Sequence, residues 1–348
     1  MKWRNYALLF LITVFGEVGL RDVVAQTPTK PQIVFSMNED IHVMDTDGTN
    51  VRRLTYHPTT DSVPSWSPDG RQIAFTSHRN NVSGAYNTEV YVMDSDGSNI
   101  RRLTHQPGVD AYASWSPDGK QLAFASDRDG NGEIYVMTLD GAHLRNLTRH
   151  PSIDTAPSWS PDGRQIVFAS NRRRFFEEHG EVSGKDIYVM NADGTEVRRL
   201  TGRPGAPRQE SDMTPCWSPD GNQIVFTSFR EAAILAGGND DIYVMDADGN
   251  NQKNIRPSLA GDRHPCWSSD GKQIVFASVV SSIPGVRPTP GASYTDIYVM
   301  NSDGSGVKRL TEHPFDAGWP RWFGPKLVVS VSSKGKLPSI WGRLKAVP

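Results

Sequence analysis

The chain has 348 residues, with 37 Lys and Arg against 39 Asp and Glu and a formal net charge of −2. That balance leaves no electrostatic footprint for nucleic acid. Its 31 glycines and 24 prolines suit many short strands joined by turns, and its length permits one large domain or two average ones.

The first 25 residues read as a secretory signal peptide. Lys2 and Arg4 form a basic start, residues 6–15 are an apolar run, and Val23-Val24-Ala25 supplies small residues before Gln26. The run falls short of the ~20 residues needed to cross a bilayer. An uncleaved anchor is the competing reading. With cleavage, no membrane span remains and the mature chain is expected to be periplasmic or secreted. Residues 26–31 are a short linker.

From residue 32 to residue 332 one repeat organises the chain. Trp-Ser-Pro-Asp-Gly begins at Trp66, Trp115, Trp159 and Trp217, Trp-Ser-Ser-Asp-Gly at Trp267, and a degenerate copy at Trp322. The spacings are 49, 44, 58, 50 and 55 residues, as a four-stranded unit with insertions requires. In the second unit the strand signals are Pro64-Ser65-Trp66, residues 72–77, residues 90–93 and residues 100–104, separated by Asp-Gly turns. The second and third strands are continuously apolar, which predicts sheets buried on both faces. The fourth carries Arg52-Arg53, Arg101-Arg102, Arg198-Arg199 or Lys308-Arg309, charges that protect an exposed edge. The fourth strand is therefore the rim and the first lines a central channel. No stretch sustains a helical period.

These residues resemble the TolB-like, WD-repeat-like propeller family, whose unit reads roughly Ile-Tyr-Val-Met-Asp-x-Asp-Gly, a Leu-Thr strand end, then Trp-Ser-Pro-Asp-Gly. Matches begin at Ile187 and Ile242, with close relatives in the other units. The expected fold is all-β: a six-bladed β-propeller of four-stranded antiparallel blades. The segment at Arg321-Trp322 is expected to pair with residues 32–35, so that both chain ends close one blade. Residues 326–332 read as a surplus second strand and Ile340-Trp341 as a third, so seven blades is the alternative. Residues 333–348 are a basic C-terminal tail. The α/β domain that precedes the propeller in TolB itself is not expected ahead of Gln32.

The sequence contains no Gly-x-Ser-x-Gly, His-Glu-x-x-His, Cys-x-x-Cys, Gly-x-Gly-x-x-Gly or Walker-type loop. Length variation concentrates in the second-to-third connections, residues 78–88, 171–185, 229–240 and 279–295. Those loops share one face of the disk, which is the expected working surface. Six carboxylates lead into the inner strands on that face: Asp61, Asp110, Asp154, Asp212, Asp262 and Asp316. They should ring the channel mouth, either bonded to their own loop backbone or free to attract a cation or a basic peptide end.

Arg172, Arg173, Arg174, Phe175 and Phe176 mix cations with aromatic anchors. They form a candidate partner loop, with a solvated loop as the plain alternative. His57, His105, His150 and His313 follow outer strands, too far apart for one metal, and read as loop packing. Residues 127–133 resemble the start of an EF-hand loop, but Thr138 stands where the bidentate Glu belongs, so a hairpin turn is expected. Cys216 and Cys266 occupy one slot in consecutive units; a ~10 Å sheet spacing would keep them apart as two separate buried thiols.

What the resemblance implies is an exported, non-catalytic binding scaffold. It would contact a protein or peptide, an envelope component among the options, through the channel mouth and long-loop face. The alternative is a propeller enzyme or carbohydrate-binding protein, lyase- or glycosidase-like, marked by a mouth cluster of His, Arg, Tyr and Glu. A monomer without a metal or cofactor is expected, with calcium as the one ion to consider.

Overall fold

The computed structural model describes residues 27–80, 87–172, 184–202, 210–230, 240–258, 260–280, 294–312 and 316–324. Within these, 24 strands form six four-stranded antiparallel sheets. The Trp-bearing segments are the inner strands: Asp61–Trp66, Asp110–Trp115, Asp154–Trp159, Ser211–Trp217, Asp262–Trp267 and Ala317–Phe323. In the second blade the chain then runs outward through Gln72–Ser77 and Glu89–Asp94 to the two-residue rim strand Arg101–Arg102. The other blades repeat this order.

Closure is made by Ala317–Phe323, which pairs antiparallel with Gln32–Met37 so that Gln32 faces Phe323 and Ile33 faces Trp322. The same strand packs against the inner strands of both neighbouring blades. The ring is therefore complete with six blades, and the seven-bladed alternative is overturned. A chain whose last inner strand already completes the first blade leaves no gap for a further sheet. Residues 1–26, the surplus strand signals at 326–332 and Ile340-Trp341, and the tail at 333–348 lie outside the described residues.

The apolar second and third strands explain the stacking. Phe35, Phe75, Phe124, Phe168, Phe226 and Phe276 hold the same slot and are fully buried, each contributing about 1.5–3 kcal/mol of burial. Val34, Ile41 and Val43 of the closing blade pack on Ile73, Phe75 and Met93 of the next, so the core lies between blades.

The turn chemistry is equally local. Ser67 Oγ donates to Asp69 Oδ1 at 2.7 Å and accepts from Gln72 N at 2.9 Å. Gly97 has φ of 93°, and a Cβ there would approach the Leu54 carbonyl oxygen of the preceding blade to 2.7 Å. Glycine is needed both for the backbone and for the fit.

Candidate functional site

Each inner strand slips its register at one point, for example between Ser62 and Ser65 and between Ala111 and Ser114. At every slip one non-glycine residue takes a left-handed φ. These are Val63 (51°), Tyr112 (61°), Ala156 (51°), Thr214 (49°), His264 (55°) and Trp319 (53°). Such a conformation costs roughly 1–3 kcal/mol and is most unfavourable for β-branched Val63 and Thr214. A bulge re-aims its side chain, and here it turns these residues toward the channel, where they line two cavities stacked along its length.

Trp319 lines the larger of the two. Its ring stacks on His264 with centroids 3.5 Å apart and meets the edge of Tyr112 at 5.3 Å. Tyr112 belongs to a blade that does not adjoin the Trp319 blade, so the indole spans the channel. That cavity, on the long-loop face, has a volume of about 510 Å³ and is walled in part by Lys185, Met213, Phe229 and Arg263. The smaller cavity, of about 40 Å³, is lined by Ser65, Ser114, Ser158, Cys216 and Arg321.

The mouth is electrostatically asymmetric. Arg263 is tied to Asp240. Half-buried Lys185 lies without a carboxylate partner among the described residues, and burial lowers its pKa, with Asp154 opposing. Burial, helped by Arg321 and Arg263, holds the His264 imidazole well below its usual value, so it is neutral at pH 7. Its Nδ1 has no hydrogen-bond partner among the described residues.

The acidic set opens the inner strands, but its carboxylates are engaged differently from expectation. Asp61, Asp110, Asp154, Asp212 and Asp262 are buried at 0–5% exposure. Four are matched to an arginine two residues beyond the second-strand Ser. The pairs are Asp61–Arg79 at 2.7 Å, Asp110–Arg128 at 3.0 Å, Asp154–Arg172 at 2.7 Å and Asp212–Arg230 at 3.4 Å. Each arginine also lies over the Phe and Tyr rings of its own blade, as Arg128 does over Phe124 and Tyr135 at 5.4 and 4.9 Å. These carboxylates are internal struts. Buried charges persist when paired, which is why they are not free ligands at the mouth. Asp316 is exposed and accepts from Thr295 N at 3.0 Å.

Arg172 is likewise a strut rather than a partner-loop residue, while Arg173, Arg174, Phe175 and Phe176 lie outside the described residues. In the EF-hand-like turn, Asp127 accepts from Val109 N at 2.7 Å and Glu133 from His150 N at 2.9 Å; both carboxylates brace neighbouring loops. His57 bonds Thr59 and His150 accepts from Ser152 N, as loop packing requires. His313 lies outside the described residues.

Asp262 departs from the strut pattern because Val280 occupies the sequence position of the arginine. Arg256 Nε approaches only to 3.5 Å, and burial raises the Asp262 pKa to about 6. A native pKa above the unfolded ~3.9 means that the folded state holds this proton more tightly. Stability is therefore lost as pH rises from ~4 to ~6 and the penalty is full above that. Asp262→Asn should stabilise the protein at pH 7 by on the order of 1–2 kcal/mol, the gain fading toward pH 4. Melting curves of both proteins across that range check it; a constant difference would refute the assignment.

Sequence reading passed over the channel ring. The signal was present: three residues before each Trp stand Val63, Tyr112, Ala156, Thr214, His264 and Trp319. In otherwise matching repeats, this position holds a different residue in every unit.

The geometry defines a six-bladed β-propeller with a strand-closed ring and an indole across its channel. The family model of the Tricorn protease N-terminal β-propeller domain matches residues 26–120 and 78–183. The fold is similar to TolB from Acinetobacter baumannii (TM-score 0.67, 22% identity), covering 84% of this chain and 66% of that one. A structure described as TolB from Agrobacterium tumefaciens gives TM-score 0.58 and 22% identity over 85% of this chain and 99% of that one. The chain spans just under two thirds of the Acinetobacter protein. Oligogalacturonate lyase from Vibrio parahaemolyticus is more distant: TM-score 0.52 and 16% identity over 79% and 72%. The chain has the six-bladed β-propeller fold and is similar in fold to the TolB structures.

Proposed function

We propose that this protein is an exported binding scaffold that takes a segment of a protein partner into the channel mouth, against Trp319. The observation that carries this reading is the ring of backbone-strained residues turned into the channel, five of them lining the mouth cavity, with an aromatic floor of Tyr112, Trp319 and His264. Strain that is repeated in every blade and directed into a cavity is the mark of a preorganised site. Aromatic side chains on such a floor are the usual anchors of an interface. Half-buried Lys185, without a carboxylate ion pair among the described residues, gives the mouth a preference for a carboxylate-bearing segment. Export rests on residues 1–25, read as a signal peptide.

The mouth also holds His264, Arg263 and Tyr112, three of the residue types that would mark an enzymatic or sugar-binding propeller. One experiment separates the readings. A photo-crosslinking amino acid in place of Tyr112 should capture a polypeptide from envelope extract, identified by mass spectrometry. Trp319→Ala should weaken that partner by about 30-fold, as loss of a central hot spot does. Capture of an oligosaccharide instead, or a partner indifferent to Trp319→Ala, would remove the proposal.

A further inference from the structure

Cys216 and Cys266 do not behave as the two separate thiols that a uniform sheet spacing implies. Their Sγ atoms are 2.8 Å apart. Blades fan outward from the axis, so the ~10 Å separation of packed sheets does not apply at the inner edge. Neighbouring inner strands are within bonding reach there, as when Trp159 N donates to Ser114 Oγ at 3.4 Å and Trp115 Nε1 to the Ser65 carbonyl at 3.0 Å. The slot before each Trp holds Ser65, Ser114, Ser158, Cys216, Cys266 and Arg321. Two thiols therefore meet side by side in a ring that also contains one guanidinium, and both remain partly exposed.

We propose that Cys216 and Cys266 form a redox-active pair that closes to a disulfide joining the inner strands of the two blades before the closing one. The oxidant is a disulfide of low molecular weight, acting by thiol–disulfide exchange. Cys266 is the attacking group. The Cys216 thiol donates to it and Arg321 stabilises its negative charge, so its pKa is lowered while that of Cys216 is raised. The Cys266 thiolate attacks one sulfur of the oxidant, forming a mixed disulfide and expelling a thiolate. Cys216 then gives up its proton, and its sulfur attacks Cys266 Sγ. The bond between the two chain sulfurs forms and the second thiolate leaves. Two protein thiols and one small disulfide become one protein disulfide and two small thiols.

The bridge would staple neighbouring blades across a 50-residue separation, restricting the unfolded chain. The test uses the full chain, purified and reduced, then equilibrated with hydroxyethyl disulfide. Thiol titration under denaturing conditions should fall from two groups to none, and peptide mapping should recover Cys216 linked to Cys266. Reducing the oxidised protein should lower Tm by roughly 5 °C. A Cys216→Ser/Cys266→Ser variant, which restores the Ser of three other blades, should fold with a Tm indifferent to reductant. Two thiols that persist, or two that each carry a separate hydroxyethyl adduct, would overturn the proposal. So would a stoichiometric soft metal held by both sulfurs in the protein as isolated.

Discussion

Arg128→Ala should lower stability by about 3–5 kcal/mol, the cost of leaving one member of a buried ion pair alone. Arg128 Nη2 lies 3.0 Å from each Asp110 oxygen, and the two side chains are only 12% and 3% exposed. Removing the guanidinium leaves a carboxylate without its counter-charge and also strips the cation from the Phe124 and Tyr135 rings. Adding Asp110→Asn to the variant should recover most of the loss, because the cost lies in the uncompensated charge. Urea unfolding of the wild type, the single variant and the double variant measures both effects. A loss below ~1 kcal/mol would place the pair among ordinary surface bridges. The natural counterpart is the Asp262 blade, where the arginine is absent and the carboxyl pKa has moved upward instead.

Stopping the chain after residue 316 should abolish cooperative folding, whereas stopping after residue 324 should preserve it. The shorter protein loses Ala317–Phe323, leaving the pairing edge of Gln32–Met37 open. It also removes the Phe323 ring that packs tilted against Trp66 at 5.3 Å, together with Trp322, packed on the core between the closing blade and the one before it. An open apolar edge is a template for aggregation. Size-exclusion chromatography with thermal melting distinguishes the two truncations. A sharp transition from the shorter protein would mean that the ring does not depend on its final strand.

The strand order was legible because the turns are encoded within five residues. Ser67, Pro68, Asp69 and Gly70 close their own hydrogen bonds, and the apolar runs on either side have room only for short strands. The closure was legible for the same reason: Trp322 is an inner-strand signal without a blade of its own, and residues 32–35 are a second strand lacking an inner partner. The acidic set was located correctly along each unit but not in its role. Asp110 and Arg128 are 18 residues apart and meet only once two strands have paired, so their charges cancel in a way that no local pattern announces.

The repeated chemistry of each blade, its turns, its apolar strands and its charged rim, was settled by the amino-acid order alone, since those features depend on neighbours a few residues away. Tertiary structure decided what happens at the axis. There six inner strands converge, each bulge turns one divergent side chain toward the channel, Trp319 reaches Tyr112 from a blade that does not adjoin it, and Cys216 meets Cys266. Distances at the centre of a ring follow from how many blades close it and how they fan, a property of the whole circle that no single unit contains.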